Sequence, residues 1–153
     1  MNVHTIAVLR GGPSDEYAIS MQTGASVLSA LQDAPYNTKD IVITRSGGWL
    51  CNGYEKQPQE ALFDVDVVFI ALHGAYGEDG TVQRMLERLR IPYTGSGPMA
   101  SALAMNKVVA KDRLKDSGIK MARHMRILRE GVHDPFVTAE GIGPVSYTHL
   151  TLP

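Results

Sequence analysis

The chain has 153 residues, 44% hydrophobic and 20% charged, with 15 Lys+Arg against 16 Asp+Glu and a formal charge of -1 when histidines are neutral. That length supports one core and leaves no room for a second complete domain, and the even charge balance excludes recruitment of nucleic acid or an anionic membrane by bulk charge. A lone Cys51 excludes an internal disulfide, no CxxC or Cys/His spacing suggests zinc, and "MNVHTIAVLRGG" has neither a basic n-region nor a long apolar run, so a cytoplasmic protein without a signal peptide or membrane span is expected.

Residues 3–9, "VHTIAVL", form a run rich in β-branched residues that halts at Gly11-Gly12, the pattern of a buried first strand and its exit turn. From about Glu16 to Leu31 the positions Ile19, Thr23, Val27, Leu28 and Leu31 recur at helical spacing. They predict an amphipathic helix with Ser14 or Asp15 as N-cap. "KDIVIT" (39–44) reads as a second strand, and "RSGGWLCNGYEKQPQEAL" (45–62) as an irregular hairpin leading to a short helix. "VDVVFIAL" (65–72) is the most apolar stretch and predicts a central parallel strand bounded by His73-Gly74. A helix carrying Val82, Met85, Leu86 and Leu89 follows over 81–90, then a brief strand in "IPYTG" (91–95). "PMASALAMNKVVAKDRLKDSG" (98–118) reads as a short helix running into a longer one that ends at Gly118. "IKMARHMRIL" (119–128) alternates in part and is expected to be a strand that starts a different sheet.

Strands alternating with helices predict an α/β, Rossmann-like parallel sheet with flanking helices and right-handed crossovers. Ligands in such sheets bind beyond the carboxyl ends of the strands, which singles out "GGPSDE" and "HGAYGEDG". The first loop opens a helix and offers free backbone N–H groups, yet it is neither G-x-G-x-x-G nor a P-loop, and Asp15 and Glu16 stand where a polyanion would be repelled. Acids there suit a cation such as an ammonium group, or serve only the helix dipole. His73 is placed to hydrogen-bond a ligand or carry a proton, or is a strand-end residue bonded to backbone. Lys107 and Lys111, one turn apart, can meet phosphates or form a solvated helix face.

"VLRGGPSDEYAIS" and "VFIALHGAYGEDGTVQRMLERLRIPYTGSGPMASALAMNK", in that order and spacing, resemble the D-alanine:D-alanine ligase family of ATP-grasp enzymes over about residues 4–128. The resemblance implies a ligase that uses ATP and Mg2+ to join two D-alanines for peptidoglycan synthesis, hence cell wall biogenesis and cell shape, through an acyl phosphate. It implies that Glu16 holds the first D-alanine's ammonium, that His73 and Ser20 lie at that substrate, and that Lys107 reaches ATP phosphates. A homodimeric parent is implied as well. Three positions depart from the family pattern: Ala18 stands for a glutamate, Asn106 for the aspartate before the lysine, and Tyr17 for Arg or His.

The expected organisation is an N-terminal α/β substrate-binding domain over 1–95, a helical linker over 96–118, and the start of a central ATP-grasp domain over 119–144. "VSYTHLTLP" (145–153) leaves the family pattern and is expected to be foreign, a translated adapter joined to a truncated gene. The fragment by itself is expected to be inactive, since half a substrate site cannot orient ATP and two amino acids. Two rival readings stand beside this one. One is an ATP-grasp ligase with another second substrate; the other is a Rossmann-like binding or dimerisation module.

Overall fold

The computed structural model describes residues 4–122 and residue 124. The chain divides into two compact units, 1–106 and 107–153. The first contains β1 (Thr5–Gly11), α1 (Tyr17–Ala30), β2 (Asn37–Ile43), β3 (Trp49–Cys51), β4 (Tyr54–Lys56), α2 (Pro58–Ala61), β5 (Val67–Ile70), α3 (Thr81–Leu89) and α4 (Pro98–Met105). The described part of the second holds α5 (Lys107–Leu114) and a turn leading to Gly118 at φ +76°. The expected strand over 119–128 has no regular structure at 119–122, and most of its remainder lies outside the described residues, as do nearly all of the 119–144 segment beyond that point and the 145–153 tail.

The sheet runs β4-β3-β2-β1-β5. β1 pairs in parallel with β2 and β5, and the β3–β4 hairpin adds antiparallel to the outside of β2, so the expected parallel sheet is a mixed one. The middle of the parallel part is β1 rather than the 65–72 stretch. On its outer side β5 meets "IPYTG" through a single parallel bridge, Val68 to Tyr93. A longer ladder is blocked because Pro92 has no N–H to donate; the Thr94 hydroxyl accepts from Ile70 N at 3.1 Å in place of a backbone group.

Period-two alternation along the strands separates the two faces. Ala7, Leu9, Ile41, Ile43, Val68 and Leu72 build one core with Val82 and Leu86 of α3, all 4% exposed or less. Val8, fully buried but outside that cluster, faces the side that α1 covers.

Helix α1 is where the expected pattern fails. Ile19 is 50% exposed, and the buried positions are Ser20 and Gly24. The reason is steric: the helix crosses β1 so closely that a Cβ on Gly24 would stand 2.6 Å from Arg10 Cβ, so the contact line takes small residues instead of large apolar ones. Arg10 lies beneath with its guanidinium spread on Asp40, Nε donating to Oδ1 at 2.7 Å. That bond to Asp40 holds the guanidinium pKa above its ordinary value. Val27 and Leu31 line a shallow apolar groove of about 330 Å³ with Ile6, Val67 and Phe69, at the amino-terminal end of the strands.

Exchanging a mid-helix glycine for alanine ordinarily adds about 1 kcal/mol of stability. In Gly24→Ala the new methyl group meets the Arg10 stem, and overpacking of this kind costs about 1–3 kcal/mol. We expect a net loss of about 1 kcal/mol in urea denaturation; a raised midpoint would mean that α1 can lift from β1 freely.

Candidate functional site

From β1 the chain crosses by α1 to β2 on one side, and later returns as β5 on the other side of β1. Strand order therefore reverses at β1, and the loops leaving β1 and β5 flank the crevice where ligands of such sheets bind. These are the two loops singled out in the sequence, and the structure brings them into contact.

Gly11 and Gly12 adopt φ of +89° and +98°. A Cβ on Gly11 would lie 2.3 Å from Ile43 O, and Gly12 N donates to that same carbonyl at 2.7 Å. The glycines thus serve close passage of backbone past the end of β2. Ser14, expected as an N-cap, instead bridges the loops: its Oγ donates to His73 O at 2.6 Å and accepts from Glu16 N at 3.3 Å. Glu16 is itself the N-cap residue of α1, without a side-chain capping bond. Its carboxylate turns to the second loop, where Oε2 stands 2.7 Å from the point a Cβ on Gly74 would occupy. Ion pairs among the described residues engage Asp66, Asp40 and Glu78, and none engages Glu16.

Ser20 carries no exposed atom. Its Oγ accepts from Gly11 N and donates to Ala71 O, both at 2.8 Å, so the hydroxyl ties the end of β1 to the residue after β5. It sets the spacing of the crevice from behind. His73 is half-buried, with Nε2 2.9 Å from Thr23 Oγ1 and Nδ1 3.9 Å from Glu78 Oε1.

The second loop is held by its own acids. Glu78 Oε2 accepts from Gly74 N at 3.0 Å, and Asp79 accepts from Tyr76 N at 2.9 Å and Thr81 N at 2.8 Å. Helix α3 begins at Thr81, where its spacing starts it, and the Glu78 and Asp79 carboxylates before it are engaged by loop amides. Partial burial works to raise the Asp79 pKa, but the bonds from Tyr76 and Thr81, with Arg84 nearby, outweigh it and hold the group below the ordinary aspartate value. Trp49 Nε1 donates to Tyr76 Oη at 3.2 Å, anchoring the loop to β3. Burial, foremost, pushes the Tyr76 phenol up. Gln83, 4% exposed, donates Nε2 to Gly77 O at 2.6 Å and leaves Oε1 buried without a partner among the described residues.

Lys107 is exposed at the first position of α5, in the second unit. Lys111, one turn on, donates Nζ to Ala122 O at 3.1 Å. Sequence reasoning missed Thr23, counted there as a position on the buried helix face, and missed the loop-holding tasks of Ser14 and Asp79. A hydroxyl one turn past Ser20 and an acid two residues before Thr81 were the available signals.

The family model for the D-ala D-ala ligase N-terminus matches residues 5–62 and 52–96. A D-alanine–D-alanine ligase of Geobacter sulfurreducens is 45% identical over 139 residues, 90% of this chain and 40% of that protein. The chain thus spans about two fifths of the length of that relative. The D-alanine–D-alanine ligase of Bacillus anthracis, solved in complex with ATP, superposes with a TM-score of 0.69 at 31% identity, covering 88% of this chain and 41% of that one. The VanG D-Ala:D-Ser ligase of Enterococcus faecalis superposes at 0.69 with 30% identity, covering 80% of this chain and 44% of that one.

Two losses of stability follow from this geometry. Ser20→Ala leaves the Gly11 amide buried without its acceptor and is expected to cost about 1–3 kcal/mol in chemical denaturation; an unchanged midpoint would remove the hydroxyl from its bridging role. Asp79→Asn is expected to cost about 1 kcal/mol at neutral pH, its exposed side being screened by water. Because the folded-state pKa of Asp79 is depressed, its contribution is present above the ordinary aspartate range and fades as pH falls through and below that range. A gap between wild type and variant that stays constant down into strong acid would contradict the assignment.

Proposed function

This chain belongs to the D-ala D-ala ligase N-terminal family, and on that premise we propose that the crevice between its two loops is the pocket for the first D-alanine of a D-alanine–D-alanine ligase. Glu16 pairs with the substrate ammonium, His73 lines the same pocket, and Ser20 positions both loops from behind. In the full reaction ATP phosphorylates the carboxylate of the first D-alanine, and the amine of the second displaces phosphate from that acyl phosphate to form the dipeptide. The chain's own contribution is to bind and orient the first amino acid, which lowers the entropic part of the barrier.

One observation carries this reading: Glu16 brings an unspent carboxylate to the carboxyl end of the sheet, where Gly74 lets it approach the backbone. A carboxylate there attracts an ammonium through charge-assisted hydrogen bonds and opposes a polyphosphate. For the ATP side, Lys107 is the proposed phosphate contact from the linker over 96–118, and residues 1–95 are the proposed substrate-binding domain. Among the described residues no cluster of three or more His, Cys, Asp or Glu is placed to hold a metal ion, so no Mg2+ ligand is assigned. No helix of the described residues is long and apolar enough to cross a membrane; a cytoplasmic, homodimeric parent acting in peptidoglycan synthesis completes the proposal. The similarity to VanG supports a second reading, in which the second substrate differs from D-alanine while the first-substrate pocket is the same.

The proposal predicts that D-alanine added to the nitrogen-15-labelled chain shifts the amide signals of Gly11, Gly12, Ser14, Asp15 and Glu16 and of residues 73–78. Glu16→Gln should weaken that binding by about tenfold to a hundredfold, the worth of one charge-assisted bond. Amides that stay in place at saturating D-alanine would defeat the reading.

A further inference from the structure

Thr23 Oγ1 stands between two partners, Ile19 O at 3.0 Å and His73 Nε2 at 2.9 Å. A carbonyl only accepts, and a threonine hydroxyl owns one hydrogen. For both contacts to be hydrogen bonds, that hydrogen must go to Ile19 O, which turns the lone pairs of Oγ1 toward the imidazole. Nε2 must then bring the proton.

The opposite tautomer would need Thr23 to abandon Ile19 O, keeping one bond in place of two. Its Nδ1–H would gain little in return. The nearest charged group on that side, Glu78 Oε1, lies 3.9 Å away, beyond hydrogen-bonding reach, and the other oxygen of Glu78 is engaged by Gly74 N.

We propose that Thr23 is a positioning residue that holds His73 as the Nε2–H tautomer and leaves Nδ1 as a bare acceptor on the side of Glu78. Glu16, Glu78 and Nδ1 then present acceptors only, the complement of a donor-rich group such as an ammonium. That purpose rests on the amino-acid reading of the crevice, whereas the tautomer itself rests on the Thr23 geometry alone.

The test uses the chain labelled with nitrogen-15 histidine, together with its Thr23→Ser and Thr23→Val variants, in long-range proton–nitrogen spectra recorded above the ordinary histidine titration range. A His73→Gln chain assigns the signal. The wild type and Thr23→Ser should show the Nε2–H pattern with its ring proton visible, and Thr23→Val should lose that proton to solvent exchange while the backbone amide spectrum stays folded. A wild-type His73 in the Nδ1–H form, or an unaltered Nε2–H signal in Thr23→Val, overturns the proposal. Should Thr23→Val fail to fold, the wild-type tautomer decides by itself. Added D-alanine separates the two ideas: a His73 that is in the Nε2–H form yet does not respond to D-alanine defeats the substrate reading and leaves the tautomer lock standing.

Discussion

The crevice depends on a buried hydroxyl at the point where strand order reverses. Ser20 Oγ accepts a hydrogen bond from the amide of Gly11 and donates one to the carbonyl of Ala71, so one atom joins the ends of two adjacent strands to the helix that crosses them. Strand ends that diverge at a reversal have backbone groups with no ladder partner, and buried backbone groups must be satisfied. Serine does this here for a donor and an acceptor at once, without adding bulk at the helix–sheet contact. The same demand for closeness places Gly24 one turn further along, against the stem of Arg10. Stability and site geometry therefore share one line of small residues on α1.

The acids near the crevice divide by task. Asp79 spends its two oxygens on amides of its own loop, and Glu78 gives one to Gly74. These bonds, with the Trp49–Tyr76 and Gln83–Gly77 contacts, replace the regular ladder that a glycine-rich segment lacks. Glu16 is different: its backbone opens α1, while its carboxylate makes no capping bond and no ion pair among the described residues. A loop rigid enough to keep that carboxylate in place is what pre-organised binding requires.

Much of this was legible in the sequence, and the failures have physical causes. The strands of the parallel core, the hairpin with its short helix, and α3 follow from apolar runs, turn glycines and helical spacing, and loop placement follows from topology alone. The buried face of α1 could not be read from apolar spacing, because the strand below admits only small side chains there and Ile19 is turned outward. The segment at 91–95 reads as a strand by composition, but Pro92 limits it to one bridge. For the site, Glu16 and His73 were visible as chemistry-bearing residues at strand ends. The tasks of Ser14, Thr23 and Asp79 were not, since a hydroxyl or carboxylate bonded to backbone leaves no periodic trace.

A helix start following two glycines is normally an anion site, so the cation proposed for this crevice needs an electrostatic reason. The end of α1 presents roughly half a positive charge from its free N–H groups. Glu16 stands at that same end, Asp15 precedes it, and Glu78 lies on the other loop with Oε1 3.9 Å from His73 Nδ1. The helix end offsets only about half of one carboxylate, so Asp15 and Glu16 leave an excess of negative charge there, which Arg45, donating to Ser14 O at 3.5 Å, balances in part. Gly11 and Gly12 would not cradle a phosphate in any case, because their backbone is engaged with Ile43 and Ser20. The committed amides of Gly11 and Gly12 and the acids that follow them thus support the proposed ammonium over a phosphate.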